Sequence, residues 1–243
     1  METNKFFSEL LGFEAPWTVV RVEHCPEKNI VQLYVNYSES QWVDRQTGEI
    51  FEIHDFREER EWRHLDVLQY QTVIRCRTPR VKYSDGSVVS CPVPWGDAGE
   101  RHTYQFEDRT IETLQATHNQ TRAGKLLKVS YEKVNRIMNR AVERGLERRD
   151  LEQDDIVVLH VDEKSYKKGH SYMSVLCVSV GKRVLNIEDK RTVEACKSLF
   201  SNTFSEERLL KIRAVCMDMW KPFAIAVKKN AHKPNSYTIS FMW

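Results

Sequence analysis

Two aspartates, Asp162 and Asp218, hold matching positions in two apolar runs. The first run reads Val157-Val158-Leu159-His160-Val161-Asp162, and the second reads Val215-Cys216-Met217-Asp218. Runs this short and apolar suit buried strands, and each delivers a carboxylate where the chain is expected to leave the sheet. Side by side, the two strands would hold both carboxylates at one sheet edge. Paired hard oxygen ligands suit a divalent ion such as Mg²⁺ or Mn²⁺. An aspartate after a strand also serves to cap a following turn or helix, and the residues alone leave both readings open.

Positioning those carboxylates requires a sheet whose first and last strands are neighbours. The apolar spacing predicts strands over 156–162, 172–179, 182–188 and 213–217, with a helix from about Arg191 to Phe200 and a helical turn near Glu206 to Lys211. Gly181-Lys182 signals a tight hairpin between the second and third strands. The helix before the last strand then makes a parallel crossover, which returns that strand beside the first.

The strongest helical periodicity lies upstream, from Arg122 to Arg149, where Leu126, Leu127, Val134, Ile137, Met138 and Ala141 recur at three- and four-residue spacing. Ser130 is placed to N-cap a second helix after a break at Lys128-Val129. A short helix, a tight turn and a longer helix match helix-turn-helix spacing, in which the second helix enters a DNA major groove. The segment holds nine basic and three acidic residues, an excess of six positive charges, although the whole chain carries only +2. Tyr131, Lys133 and Asn135 open the second helix and are candidate base readers. Arg122, Lys125, Lys128, Arg136 and Arg140 are candidate phosphate contacts. The plainer alternative is an amphipathic helix pair with a solvated charged side.

Residues 1–100 alternate short period-two runs, at Val19–Glu23, Ile30–Tyr37 and Leu68–Arg75, with turn signals such as Thr47-Gly48 and Asp85-Gly86. A small β-rich unit is expected, packed around Trp42, Trp62, Tyr70 and Trp95. The fold class that follows is a mixed α+β and α/β multidomain chain. A β-rich domain spans 1–100, a helical DNA-binding region 101–150, and a domain containing the two aspartates 151–243, with the boundary in the polar connector Arg148 to Asp155.

With 243 residues and 41% apolar content the chain can bury a substantial core. Six cysteines without any C-x-x-C pair read as reduced and structural. No apolar run approaches the roughly twenty residues needed to span a bilayer, so no membrane partner and a cytoplasmic, nucleoid-associated location are expected.

The residues after Asp162 continue Glu163-Lys164-Ser165-Tyr166-Lys167-Lys168-Gly169-His170-Ser171-Tyr172, and those after Asp218 continue Met219-Trp220-Lys221-Pro222-Phe223. Together they closely resemble the catalytic core of the DDE transposases of bacterial insertion sequences, in the group written IS-L-three. Trp62-Arg63-His64-Leu65-Asp66, Pro79-Arg80-Val81, Val93-Pro94-Trp95 and Arg136-Ile137-Met138-Asn139-Arg140 look like further landmarks of that group in the same order, so the resemblance covers most of the chain. It implies an RNase H-like fold in which three acidic residues bind two metal ions, Mg²⁺ or Mn²⁺, for cutting and joining DNA. Asp162 would bridge the ions and Asp218 would complete one site, with a glutamate from a later helix completing the other. Lys164 and Lys168 are candidate phosphate contacts or simply solvated lysines. The implied partners are the element's terminal inverted repeats and target DNA, bound by one chain or by a homodimer.

Three departures from the group carry expectations of their own. Where many relatives show zinc ligands, this chain has Asp44-Arg45-Gln46-Thr47-Gly48 and Tyr83-Ser84-Asp85-Gly86, so no zinc is expected despite His54 and His64. No Asp or Glu follows Asp218, so the RNase H-like domain is expected to be incomplete. The tail from Asn230 also departs from the group, after the adenine-rich codons of Lys228-Lys229-Asn230. A shift of reading frame there, and a chain inactive alone as a recombinase, are expected. The alternatives are a non-catalytic DNA-binding protein and a metal-dependent nuclease of similar fold.

Overall fold

A computed structural model describes residues 3–44, 47–149, 156–167, 171–178, 183–217 and 225. The chain divides into two compact units, residues 1–145 and 146–243, and its content is mixed, with several sheets and helices.

The first unit opens with helix α1 (Thr3–Leu10) and contains eight strands: β1 (Trp17–Cys25), β2 (Ile30–Tyr37), β3 (Gln41–Val43), β4 (Ile50–Phe56), β5 (Arg60–Arg63), β6 (Gln71–Cys76), β7 (Pro79–Lys82) and β8 (Val88–Ser90). They form two four-stranded sheets, ordered β1-β2-β6-β5 and β3-β4-β7-β8. Alternation explains their sidedness. In β2, Val31, Leu33, Val35 and Tyr37 are buried while the intervening residues are not. Trp17, Trp62 and Trp95 meet edge to face at the centre of the core, with Trp95 ring centroids 5.1 Å from Trp17 and 5.6 Å from Trp62. Of the four aromatics expected there, Trp62 and Trp95 take the central place and Trp42 sits at the margin. Tyr70 lies elsewhere, against His24. Trp17 fills the remaining space.

Three helices complete the unit: α2 (Tyr104–Thr117), α3 (Gln120–Leu127) and α4 (Tyr131–Glu147), the last running two residues past the unit boundary. Glu107 of α2 is only 3% exposed, and a carboxylate so buried requires positive partners. Arg144 supplies one at 2.6 Å from Glu107 Oε1 and also reaches Asp97 at 3.3 Å. Arg140 pairs with Glu100 at 2.6 Å and with Asp97, and lies 3.8 Å from Glu107. Arg140 Nη2 lies 3.8 Å from Glu107 Oε1, beyond hydrogen-bond distance, so that contact is Coulombic. The Arg144 guanidinium is held above its ordinary pKa, chiefly by its bond to Glu107. Buried His102 borders the same cluster, 3.5 Å from Glu100.

The second unit contains β9 (Val158–Lys167), β10 (Ser171–Val178), β11 (Val184–Asp189), α5 (Val193–Ser201), the single turn α6 (Glu206–Leu209) and β12 (Ala214–Met217). Their order is β11-β10-β9-β12, antiparallel except that β12 runs parallel to β9. The crossover through α5 and α6 thus places the last strand beside the first. Leu159, Val161, Leu176, Leu185, Val215 and Met217 face Cys196, Leu199 and Phe200 of α5 in one core. The proposed hairpin at Gly181-Lys182 and the connector at residues 150–155 lie outside the described residues.

Two expectations are corrected. Helix α1 was not anticipated; it contributes Phe7 to the aromatic core, and Leu11 and Phe13 just beyond it pack there too. Strand β9 does not end at Asp162 but continues to Lys167, because β10 pairs with it through Tyr172 and Ser171 and keeps its backbone groups bonded.

Three stability effects follow. Glu107→Gln removes the buried charge that Arg144 meets at 2.6 Å, leaving Arg144 only Asp97 at 3.3 Å, and is expected to lower unfolding free energy by about 1–3 kcal/mol in urea titration. A Cβ on Gly124, in α3, would sit 2.9 Å from the Val129 carbonyl oxygen; Gly124→Ala is therefore expected to destabilise by about 1–3 kcal/mol despite its better helix propensity. Burial, then Arg63, pushes the His64 pKa from 6.5 to about 4. The unfolded chain takes up a proton at His64 below about 6.5 and the folded one does not until about 4. Stability is therefore fully present above that window and is lost as pH falls through it. Thermal unfolding at pH 5 against pH 7 should show the loss, and His64→Gln should reduce it.

Candidate functional site

The junction of α3 and α4 is built by local capping. Asn119 accepts a hydrogen bond from the Arg122 amide at 2.9 Å and starts α3. Lys128 adopts φ 56°, ψ 43° and ends it, and the Val129 amide returns to the Gly124 carbonyl at 2.9 Å. Ser130 then caps α4 by accepting from the Lys133 amide at 3.3 Å, as the spacing predicts. The absence of a side chain at Gly124 permits the close approach: its nearest neighbours are Val129 and Val134.

One face of α4 is turned inward by fully buried Val134 and Ile137. Arg140 and Arg144, flanking that face, are taken up by the acidic residues already described. The opposite stripe carries Glu132, Asn135, Arg136 and Asn139, at i, i+3, i+4 and i+7, and Tyr131 stands at its start, 49% exposed. The Glu132 carboxyl is held below its ordinary pKa by its own backbone amide and by the Ser130 hydroxyl.

The eight residues singled out by sequence separate into four groups. Arg122, Lys125, Tyr131 and Arg136 are exposed. Asn135 accepts from Gln120 Nε2 at 3.4 Å, and Lys128 Nζ donates to the Gln69 carbonyl at 3.4 Å. Lys133 is half-buried, its pKa lowered by burial, then by Arg136 and Arg63. Arg140 is engaged with Asp97 and Glu100, so its charge is already compensated. Sequence reasoning passed over Glu132 and Asn139. The signal that finds them is the helical register counted from Asn135, once the inward face is known.

Asp162 lies in the middle of β9, opposite Val175. Its neighbours Val161 and Leu159 point into the core, so Asp162 belongs to the other face, where it is exposed. Its Oδ1 accepts from the Glu163 amide at 2.8 Å. His160, Cys177 and Cys216 occupy one cross-strand row on that face, and the Cys177 thiol is pushed up by burial, then by Asp162. Lys164 is exposed one alternation further along. The parallel register of β12 runs Ala214–Val158 to Met217–Val161. Asp218, Lys168 and His170 lie outside the described residues. Among the described residues no group of three or more His, Cys, Asp or Glu is arranged to hold a metal ion.

At the positions where zinc ligands were sought, Asp44 accepts from the Thr47 amide at 3.4 Å and Tyr83 packs on Phe51 at 4.8 Å between centroids. His54 is exposed. His64 is kept neutral by burial and shares a hydrogen bond with Thr103, the N-cap of α2, at 2.9 Å. No helix among the described residues is long and apolar enough to cross a membrane.

A family model described as "Transposase" matches residues 159–238, a span that begins in β9 and continues past Lys228-Lys229-Asn230. The transposase for insertion sequence element IS1557 of Mycobacterium tuberculosis, strains CDC 1551 / Oshkosh and ATCC 25618 / H37Rv, is 27% identical to this chain over 180 residues, covering 73% of the chain and 37% of each relative. The chain thus aligns with little more than a third of the length of these curated relatives. The family match, which begins in β9, and the wider similarity both point to the transposases of bacterial insertion sequences as the proteins this chain resembles.

Proposed function

We propose that the first unit binds duplex DNA through α3 and α4 as a helix-turn-helix, and that the second contributes the carboxylates of an RNase H-like centre for DNA strand cleavage and joining. The observation that carries the DNA reading is the sidedness of α4. Its inward arginines are neutralised, and the opposite stripe presents polar side chains suited to base edges. Arg136 matches guanine O6 and N7, Asn135 and Asn139 match adenine N6 and N7, and Glu132 accepts from cytosine N4. Arg122 and Lys125, exposed on α3, suit the phosphate backbone. The relatives are transposases of an insertion sequence, and the partners proposed here are the element's terminal repeats and target DNA.

In the second unit, Asp162 offers an exposed carboxylate on the face away from the core, which suits an oxygen ligand for Mg²⁺ or Mn²⁺. The resemblance to the transposase core implies that Asp162 and Asp218 together would hold the ion. A bound divalent ion stabilises charge on attacking and leaving oxygens of a phosphodiester. The chain's own part is to present Asp162 on a strand paired on both sides, with Lys164 on the same face for a substrate phosphate. No zinc is proposed for the first unit.

Two outcomes test the reading. Lys125→Glu with Arg136→Glu is expected to abolish the shift of a duplex in a gel-retardation assay at moderate salt; an unchanged shift would remove the helix pair from the DNA surface. Asp162→Asn is expected to weaken Mn²⁺ binding at least tenfold by isothermal titration, about 1.4 kcal/mol, with the thermal midpoint unchanged. Unaltered Mn²⁺ affinity, or a domain unfolded by the change, would assign Asp162 a structural role instead.

A further inference from the structure

The first unit also carries an arginine cluster remote from the α4 stripe. Arg57 follows β4, Arg60 opens β5, Arg77 follows β6, and Arg101 lies in the loop before α2. The sheet brings them together. Arg60 pairs with Cys76 across β5 and β6, Arg77 Nε donates to the Arg57 carbonyl at 3.2 Å, and the Arg63 amide donates to the Arg101 carbonyl at 2.9 Å. Arg57, Arg77 and Arg101 are exposed, and Arg60 is partly covered, with its guanidinium 5.2 Å from the Trp62 ring.

None of these four arginines makes an ion pair among the described residues. Acidic neighbours are nearby but spoken for: Glu59 and Glu61 both pair with Arg75, and Glu100 pairs with Arg140. Exposed Glu58 offsets one of the four charges. The Arg60 guanidinium is held below its ordinary pKa by burial first and then by the charges of Arg101 and Arg57, which marks like charges packed without relief. Arginines gathered at a surface without ion pairs of their own suit an external anion, and the planar arginine fork matches a phosphate in two-point contact. The cluster approaches the helix pair on the side turned away from the stripe. Arg101 follows Glu100, whose carboxylate holds Arg140 of α4 and lies near Lys133.

We propose that Arg57, Arg60 and Arg101, with Arg77 beside them, are a second phosphate-binding surface, separate from the α4 stripe, that holds a duplex by its backbone. This rests on the DNA reading of the helix pair and adds a role for the β-rich part of the unit. Contacts of this kind position a duplex without reading its sequence. They strengthen binding to any sequence by releasing counterions.

The test uses the full chain and a fluorescent duplex of random sequence, with affinity measured by anisotropy over a range of salt. Each phosphate contact adds about 0.9 to the slope of log affinity against log salt. Arg57→Gln with Arg101→Gln, both at exposed positions, is expected to lower that slope by about 1.8 and to shorten the hydroxyl-radical footprint on the duplex. Arg57→Lys with Arg101→Lys, which keeps the charges, is expected to retain most of the slope. An unchanged slope and footprint in the glutamine variant, or an equal loss in the lysine variant, overturns the proposal. If Lys125→Glu with Arg136→Glu abolishes binding while the glutamine variant keeps the parent slope, the helix-pair reading stands and only this surface is withdrawn. Failure of the parent chain to bind any duplex withdraws both.

Discussion

A carboxylate at Glu107 that is 3% exposed sets the orientation of α4. Isolated in the interior, that charge would be costly enough to shift its protonation or unfold its surroundings. Arg140 and Arg144, one turn apart on α4, compensate it together with Asp97 and Glu100. Salt bridges of this kind add little net stability over an apolar packing of the same shape, but they tolerate little change of geometry. Their effect here is rotational. With Val134 and Ile137 packed inward and the arginines turned to the acidic cluster, Glu132, Arg136 and Asn139 of the stripe are exposed, and Asn135 beside them meets Gln120.

That rotation divides a charge count that looks uniform in one dimension. The six excess positive charges between Arg122 and Arg149 read in sequence as a single basic surface. In the structure Arg140 and Arg144 neutralise partners contributed by the loop before α2 and by α2 itself, and Lys133 is half-buried near Arg136, Arg63 and Glu100. What is left exposed on the helix pair is smaller and more polar. The arginines near β5 and β6 restore a basic surface from residues scattered over more than forty positions of the chain, and no sequence window could gather them.

Much of the fold was legible because its signals are local. Period-two burial gave β2 and β6, three- and four-residue spacing gave α4, and Ser130 marked its start. The crossover rule gave β12 beside β9. What escaped depends on pairing across the chain. The length of β9 is fixed by β10, so the end of its apolar run at Asp162 was mistaken for the end of the strand. The role of Trp17 in the aromatic core depends on two sheets meeting. The commitment of Arg140 was hidden because its partners lie 40 and 43 residues earlier. Asp162 itself was legible as a candidate ligand, since its chemistry and its place after an apolar run need no tertiary information.

The account turns on α4 meeting DNA with the face opposite its buried arginines. Hydrogen exchange of the full chain with and without a duplex tests this most directly, since the backbone of a docked helix loses solvent access and motion. The account predicts slowed exchange in peptides covering Arg122 to Asn139 when DNA is added, with the Lys128–Ser130 turn included. Unchanged exchange across that span in a complex that demonstrably forms would contradict it.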